Sequence, residues 1–414
     1  MSAGRTRIAI IGAGPIGLEA ALAAHERELD FTVYEAAPTV AGYVRRWSHV
    51  RTFTPWDMNV SQRVRAALGE RAPSGAALPT GAELADELIE PLAATAALRG
   101  RIRLSTRVEA VGREGLLKHE AIGSNERARR PFRLLLTLPD GRDAIEHADA
   151  VIDCSGTYGN PNRLGDGGID APGERAFDDR IERLLPALDD EPQQWAGKTV
   201  LLTGSGHSAQ TAARGLAQLA SQAPATRVIW SVRRPDPDWY AVADDPLPER
   251  AALNRAAAEL AAGASPAVEL LPGTVCESLS AGGAGRIGVA LRNGGVEHVE
   301  VDRILALNGG VGDASIYRQL QVHECYATCG PIKLAAALLG EGGGGDCLAQ
   351  AGHGPETLVN PEPGFFILGA KSYGRNSQFL MSIGWAQVDD VFSSLLNETV
   401  LRCSPDQRSG CAPR

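Results

Sequence analysis

The chain has no uninterrupted apolar run long enough to span a membrane. Its best candidate, Ile8 to Ala24, is broken by Gly12, Gly14, Pro15 and Gly17 and then by Glu19, whereas a spanning helix needs about 20 apolar residues. It reads as strand, turn and helix rather than as a signal or membrane segment. Lys/Arg-rich blocks are lacking too. With a formal charge of −9 and 5% aromatic residues, a nucleic-acid or anionic-membrane surface is excluded as the main business. Cysteines are scattered and odd in number, seven in all at 154, 276, 325, 329, 347, 403 and 411. That is no secreted disulfide framework, and cytoplasmic residence is the expectation. No Gly-x-y or heptad repeat dominates. A Gly-x-Ser-x-Gly nucleophile elbow is missing. Cys325-x3-Cys329 with His323 is an incomplete zinc set, so no metal site is expected. No Asp/Glu pair stands out as an acid–base couple.

What is present is the balance of a globular protein, 44% apolar and 22% charged over 414 residues, enough for two or three domains. Arg7 to Ile11 is a short apolar run suited to a buried parallel strand. Gly12-Ala-Gly14-Pro15-Ile16-Gly17 follows, then a helix from Leu18 to Ala24 and a strand from Phe31 to Glu35. The three glycines allow a tight turn, close approach of a pyrophosphate, and close helix–strand packing. Free N–H groups at the helix start favour the phosphates. Glu35 then stands where a ribose hydroxyl would lie, with Ala36 next to it.

The same grammar returns later. Lys198 to Thr203 is a strand, Gly204-Ser205-Gly206-His207-Ser208-Ala209 a turn, Ala212 to Ala220 a helix, and Val228 to Val232 a strand. The second strand ends without a carboxylate and offers Arg233 and Arg234 instead. Such a pair can grip a 2′-phosphate, which favours NADPH, or can be a solvated surface pair. His207 is a neighbour of the pyrophosphate rather than a base. Between the units, Arg101 to Val111 and Arg133 to Leu138 read as strands of a small sheet, and 115–130 as a variable polar loop. Ala150 to Ser155 is another strand, and the connection between domains is placed in the Gly/Pro/Asp-rich stretch 159–173. An Ala/Glu/Arg-rich helix within 235–265 reads as a lid near Trp239 and Tyr240. A hairpin is expected over 291–302, strands over 303–307 and 365–368, a Gly-rich loop over 340–363, and a closing helix over 379–396. The tail 402–414 is expected to fray.

On these motifs the chain resembles the two-dinucleotide-binding-domain flavoproteins, in which the first unit holds FAD and an inserted second unit holds NAD(P)H. The resemblance runs over nearly the whole length and includes the middle FAD strand Ala150-Val-Ile-Asp-Cys-Ser155-Gly156 and the late strand Phe366-Ile-Leu-Gly369-Ala370. It implies an α/β protein with two Rossmann-like domains. The FAD domain, 1–165 and 303–402, is discontinuous, the NAD(P)H domain is 166–302, and 403–414 is a flexible tail. FAD contacts are implied at Gly12, Gly14, Pro15, Ile16, Gly17, Glu35, Ala36, Trp47, Val108, Ser155, Gly156, Gly369, Ala370, Asn376 and Gln378. NADPH contacts are implied at Gly204, Ser205, Gly206, His207, Ser208, Ala209, Arg233 and Arg234. Where many relatives read Gly-Asp at the late motif, this chain reads Gly369-Ala-Lys371.

Two redox signatures of the wider family are missing. No Cys-x4-Cys follows the first unit, and the NAD(P)H domain contains only Cys276. The segment Ala41-Gly-Tyr-Val-Arg-Arg-Trp47 and the later Asn59-Val-Ser61 are instead similar to stretches of flavin-containing and N-hydroxylating monooxygenases. In that alignment Asn59 is the catalytic candidate, an amide beside the reactive flavin carbon. Read from the residues alone, Asn59 caps a helix and Trp47 and Trp56 are packing. The Phe-x-Gly-x3-His fingerprint is absent between Gly165 and Lys198, which argues against a Baeyer–Villiger enzyme. Lys371, Arg375, Asn376 and Gln378, before the closing helix, are placed against the flavin. The resemblance thus implies an FAD- and NADPH-dependent oxidoreductase. Its expected reaction is oxygenation of a small molecule with O2 through a peroxyflavin. The alternative is a reductase acting on a disulfide, quinone or protein electron carrier, with Cys325 and Cys329 as its support. Relatives often dimerise, so a homodimer is compatible.

Overall fold

The structure, a computed structural model, describes residues 6–340, Leu348 and 352–402, with backbone alone for 396–402. The expectations for Cys347, for 341–347 and 349–351 of the Gly-rich loop, and for the tail 403–414 lie outside the described residues.

Strand β1 (Arg7–Ile11), helix α1 (Pro15–Glu26) and strand β2 (Asp30–Tyr34) form the first unit's opening turn. Short helices follow over 42–93, then β3 (Ile102–Arg103), an antiparallel meander of β4 (Arg107–Arg113), β5 (Phe132–Thr137) and β6 (Asp143–Ala148), and β7 (Ala150–Asp153). The second unit repeats this plan. After β8 (Ile181–Glu182) come β9 (Thr199–Thr203), helix α2 (His207–Gln222), β10 (Arg227–Val232), helix α3 (Pro248–Ala261) and β11 (Val268–Pro272). A meander of β12 (Val275–Ala281), β13 (Ile287–Asn293) and β14 (Gly295–Val301) precedes β15 (Arg303–Ala306). The chain then makes a small hairpin, β16 (Glu324–Cys325) with β17 (Gly330–Pro331), a last strand β18 (Phe365–Ile367), and the closing helix α4 (Met381–Arg402).

The two main sheets are parallel throughout, ordered β18-β7-β1-β2-β3 and β11-β10-β9-β15-β8. Read from the glycine-turn strand outward, they have one arrangement: β15 beside β9 corresponds to β7 beside β1, and each follows its own meander. This corrects a domain boundary at 302. β15 pairs with β9 in register Ile304 to Leu201 and Leu305 to Leu202, so the second unit runs to Ala306. The hydrophobic pattern gave no warning, because a four-residue buried strand reads the same in either sheet.

Each sheet is covered on both faces, as parallel sheets require. In β1, Ile8 and Ile10 join the core under α1 and α4, while Ala9 and Ile11 face the first meander. In β9, Val200 and Leu202 pack under α2, and Leu201 packs on the second meander. The units are joined by two antiparallel crossings, in which Asn162 N–H donates to Gly309 O (2.9 Å) and Val311 N–H to Asn160 O (3.1 Å). Glu174 fastens one approach to them, its carboxylate accepting from the amides of Leu164 and Ala171. The polar loop 115–130 is tied down. Arg127 in the loop and Arg113 on β4, both 1% exposed, share the fully buried Glu362 carboxylate. The closing helix begins at Met381, two residues later than its apolar pattern suggested. No helix of the described residues is long and apolar enough to cross a membrane.

Candidate functional site

The two glycine turns are built alike. Gly12 has φ +99° and Gly204 φ +108°, a region L side chains rarely adopt. A Cβ on Gly12 would lie 2.8 Å from Cys154 O, and one on Gly204 would lie 2.3 Å from Leu307 O. Each first glycine is thus pressed against the chain leaving the neighbouring strand. Gly14 and Gly206, the N-caps of α1 and α2, have nothing within 4 Å of such a Cβ. This is the arrangement a pyrophosphate needs: a hard turn behind and open space in front of free amides. At Gly17 a Cβ would strike Gly12 O at 1.9 Å, whereas Ala209 is accommodated fully buried. Pro15 opens α1 at a position where a missing N–H costs nothing. Ser205 and Ser208 flank the second mouth, Ser208 exposed.

Beyond the turns the units differ in charge. The Glu35 carboxylate, 9% exposed, accepts from the Ala13 and Ala37 amides, both at 2.8 Å. Ala36 is exposed beside it. At the matching exit of β10, Arg233 and Arg234 are both exposed, and Arg234 pairs with Asp238 at 3.1 Å. One mouth is acidic and the other basic.

The late strand delivers what the sequence signalled only as a departure. Lys371 is 1% exposed, and its ammonium donates to Asp153 Oδ2 (2.6 Å), Ser155 Oγ (3.0 Å) and Asp313 O (2.7 Å). The three protons are satisfied, and Asp153 Oδ1 also accepts the Ser155 amide. The lysine therefore braces the ends of β7 and β18 and does not reach outward. Gly369 has φ +74° and packs on Ile16, and its amide donates to Gln387 of α4. Ile16 in turn fills the notch at Gly384, so the first turn, Gly369 and α4 are stitched together, with Ala370 half-buried next in the chain. Gly156, at φ +73°, has open space before it. Val108 is buried on β4 at a bulge, and packs in the core on the meander side.

Trp47 packs against Gly81 and joins an aromatic group with Tyr43 and Tyr158, the last of these just after β7. Tyr43 stacks on Tyr158 at 6.0 Å, and Trp47 is tilted against it at 6.4 Å. Asn59 is 6% exposed, and its amide is spent on its own turn: Nδ2 donates to Thr54 O and Pro55 O, and Oδ1 accepts from Thr54. Its hydrogen bonds hold 54–59 in shape. Ser61, not Asn59, caps the helix Gln62–Leu68. Asn376 Oδ1 accepts the Gln378 amide at 2.9 Å, ordering the bend before α4, and Arg375 is exposed.

His207 is brought against residues from both units. Its ring meets Phe53 edge-on at 5.2 Å and Tyr240 at 6.0 Å. Burial, then the nearby Arg250 guanidinium, hold the imidazole below its ordinary pKa. The strap over it carries three left-handed residues, Trp239, Tyr240 and Asp244. Gln210, fully buried, donates to Ser205 O and Trp239 O and so ties the strap to the turn. Neither Phe53 nor Gln210 carried a sequence signal, since a lone Phe or Gln matches no spacing. Cys325 and Cys329 lie in a small hairpin rather than on a helix. They flank the β16–β17 turn. Among the described residues no group of three His, Cys, Asp or Glu is placed to hold a metal.

The profile of the NAD(P)-binding Rossmann-like domain family matches residues 10–70. No curated protein matches the chain. Among solved structures it is similar to bacillithiol disulfide reductase Bdr from Bacillus cereus, at TM-score 0.65 and 18% identity, covering 95% of this chain and 99% of that one. DfoA, the desferrioxamine-pathway cadaverine monooxygenase of Erwinia amylovora, solved with FAD bound, gives TM-score 0.61 and 13% identity over 94% and 93%. The thioredoxin reductase of T. acidophilum gives 0.55 and 15% over 94% and 98%. The chain has the fold of the two-dinucleotide-binding-domain flavoproteins.

Proposed function

We propose that this protein is an oxidoreductase that binds FAD on its first unit and NADPH on its second, and uses O2 to oxygenate a small molecule. The observation that carries the cofactor assignment is the duplicated cradle with opposite charge, Glu35 at one mouth and Arg233/Arg234 at the other. FAD held at Gly14 and Glu35 would supply the hydride-accepting and oxygen-activating chemistry, so the chain itself need supply no strong acid or base.

The residues then bind and orient. The amides at Gly14 and Gly206 receive pyrophosphates, Glu35 a ribose hydroxyl, and the arginines a 2′-phosphate. Tyr43 and Trp47, with the exposed Tyr158 stacked on Tyr43, offer an aromatic wall after β7. Oxygenation is preferred to disulfide reduction because the first turn and the segment 41–61 contain no cysteine, and DfoA is a monooxygenase by name. A reductase of a disulfide, quinone or protein electron carrier is the second reading. It is favoured by the Cys325/Cys329 turn, which is bonded to Arg375, and by the likeness to Bdr.

The test is anaerobic reduction of the FAD-loaded protein with NADPH, followed by mixing with O2 while absorbance is recorded. A slowly decaying species between the reduced and oxidised spectra is the expected result. Immediate return to the oxidised spectrum favours the second reading, and no reduction by either nicotinamide removes both.

A further inference from the structure

The turn between β16 and β17 holds two thiols that the proposed oxygenation does not use. Cys325 O accepts from Thr328 N–H (3.2 Å) and from Cys329 N–H (2.7 Å). The Cys329 bond closes an i to i+4 turn, and with Cys325 paired to Gly330 across the hairpin the two cysteines are brought close together, as a disulfide requires. Cys329 has φ +59°, a left-handed position that costs a side chain energy and is usually given to Gly or Asn. A residue held there against its preference points to a use for its side chain.

The surroundings fit thiol exchange. Both cysteines are free and half-buried, and Tyr326 between them is 96% exposed, so a small molecule can reach the turn. The Cys325 thiol lies below its ordinary pKa, with the Thr328 hydroxyl and then the Thr328 amide beside it favouring the thiolate and the Ala327 amide adding less, while burial and the Glu324 carboxylate oppose. The other described thiols are the reverse case: burial pushes Cys154 up, and Cys276 up to about 12. The turn is also anchored, with Arg375 N–H donating to Thr328 O (2.7 Å) and Ile332 N–H to His323 O (2.8 Å).

We infer that Cys325 and Cys329 form a dithiol–disulfide couple that exchanges with low-molecular-weight disulfides. The Cys325 thiolate attacks one sulfur of RSSR; the S–S bond breaks, and RS⁻ leaves with the electron pair. Cys329, losing its proton, then attacks Cys325 Sγ in the mixed disulfide and releases the second RS⁻. Two cysteine thiols are oxidised by two electrons, RSSR is reduced to two RSH, and the two thiol protons pass to the leaving groups. This couple does not depend on the oxygenase reading.

The experiment treats the full-length protein with oxidised glutathione without air, alkylates the remaining thiols, and maps the tryptic peptide that contains both cysteines. The expected peptide is lighter by two hydrogens, escapes alkylation, and regains both thiols with dithiothreitol. Cys329→Ser is expected to stop at a glutathione adduct on Cys325. Cys325→Ser is expected to slow modification of Cys329 by about 10-fold or more. Recovery of both wild-type cysteines in alkylated form, or an adduct that forms first on Cys329, would overturn the assignment.

Discussion

A lysine ammonium that is 1% exposed persists only where every proton has an acceptor, and Lys371 has three. Removing it strands the Asp153 carboxylate. Lys371→Met is expected to lower the unfolding free energy by about 3–5 kcal/mol, read from urea denaturation of the apoprotein. Adding Asp153→Asn should recover part of that loss. If the single and double variants are equally unstable, the ion pair is not the cause. His207 makes a prediction of opposite character. Its imidazole is held below the ordinary value by burial and by Arg250, so it is neutral at pH 7 and the unfolded chain takes up a proton more readily. Its contribution is therefore intact above about pH 6.5 and is lost as pH falls through the folded-state value. Between pH 7.5 and 5.5 the Tm of His207→Gln should fall less than that of the wild type. Equal slopes would assign the acid sensitivity elsewhere.

At the scale of the element, the glycine turns separate folding from binding. Gly12→Ala meets Cys154 O at 2.8 Å with φ +99°, and is expected to cost about 1–3 kcal/mol of stability. Gly14→Ala meets nothing within 4 Å. It should leave stability within about 0.5 kcal/mol yet lower the flavin-to-protein ratio after reconstitution, because its methyl group enters the phosphate mouth. Equal flavin contents in Gly14→Ala and wild type would remove the mouth from the FAD site. Replacing Arg233 and Arg234 together with alanine should raise the KM for NADPH roughly 10–100-fold and leave NADH unchanged. A parallel rise for both nicotinamides would show that the pair does not read the 2′-phosphate. These elements were legible because strand, glycine turn and helix are local, each fixed by neighbours in sequence. What escaped notice is long-range. Asp153 and Lys371 are 218 residues apart, and Phe53 meets His207 across the two units. The short strands β8 and β11 and the true home of β15 depend on partners that no local pattern names.

The molecule as a whole carries two separate sets of cores. The clusters on either face of the first sheet draw on 8–152 and 316–395, and those of the second on 164–307. Between them run two hydrogen-bonded crossings and the Phe53–His207 contact, far less apolar burial than lies inside either unit. Two cooperative transitions are therefore expected in calorimetry of the apoprotein, one per unit. A ligand stabilises only the unit that holds it, by about 2.7 kcal/mol at 100 times its Kd. For units of this size that is a shift of roughly 5–10 °C. FAD should lift the transition of the discontinuous unit, and NADPH that of the inserted one. The assignment can be made independently, because Lys371→Met lowers only the first and substitutions under α2, such as Leu216→Ala, lower only the second. A single transition raised equally by either cofactor would mean that the crossings transmit stability as strongly as a shared core, and that the two units fold as one.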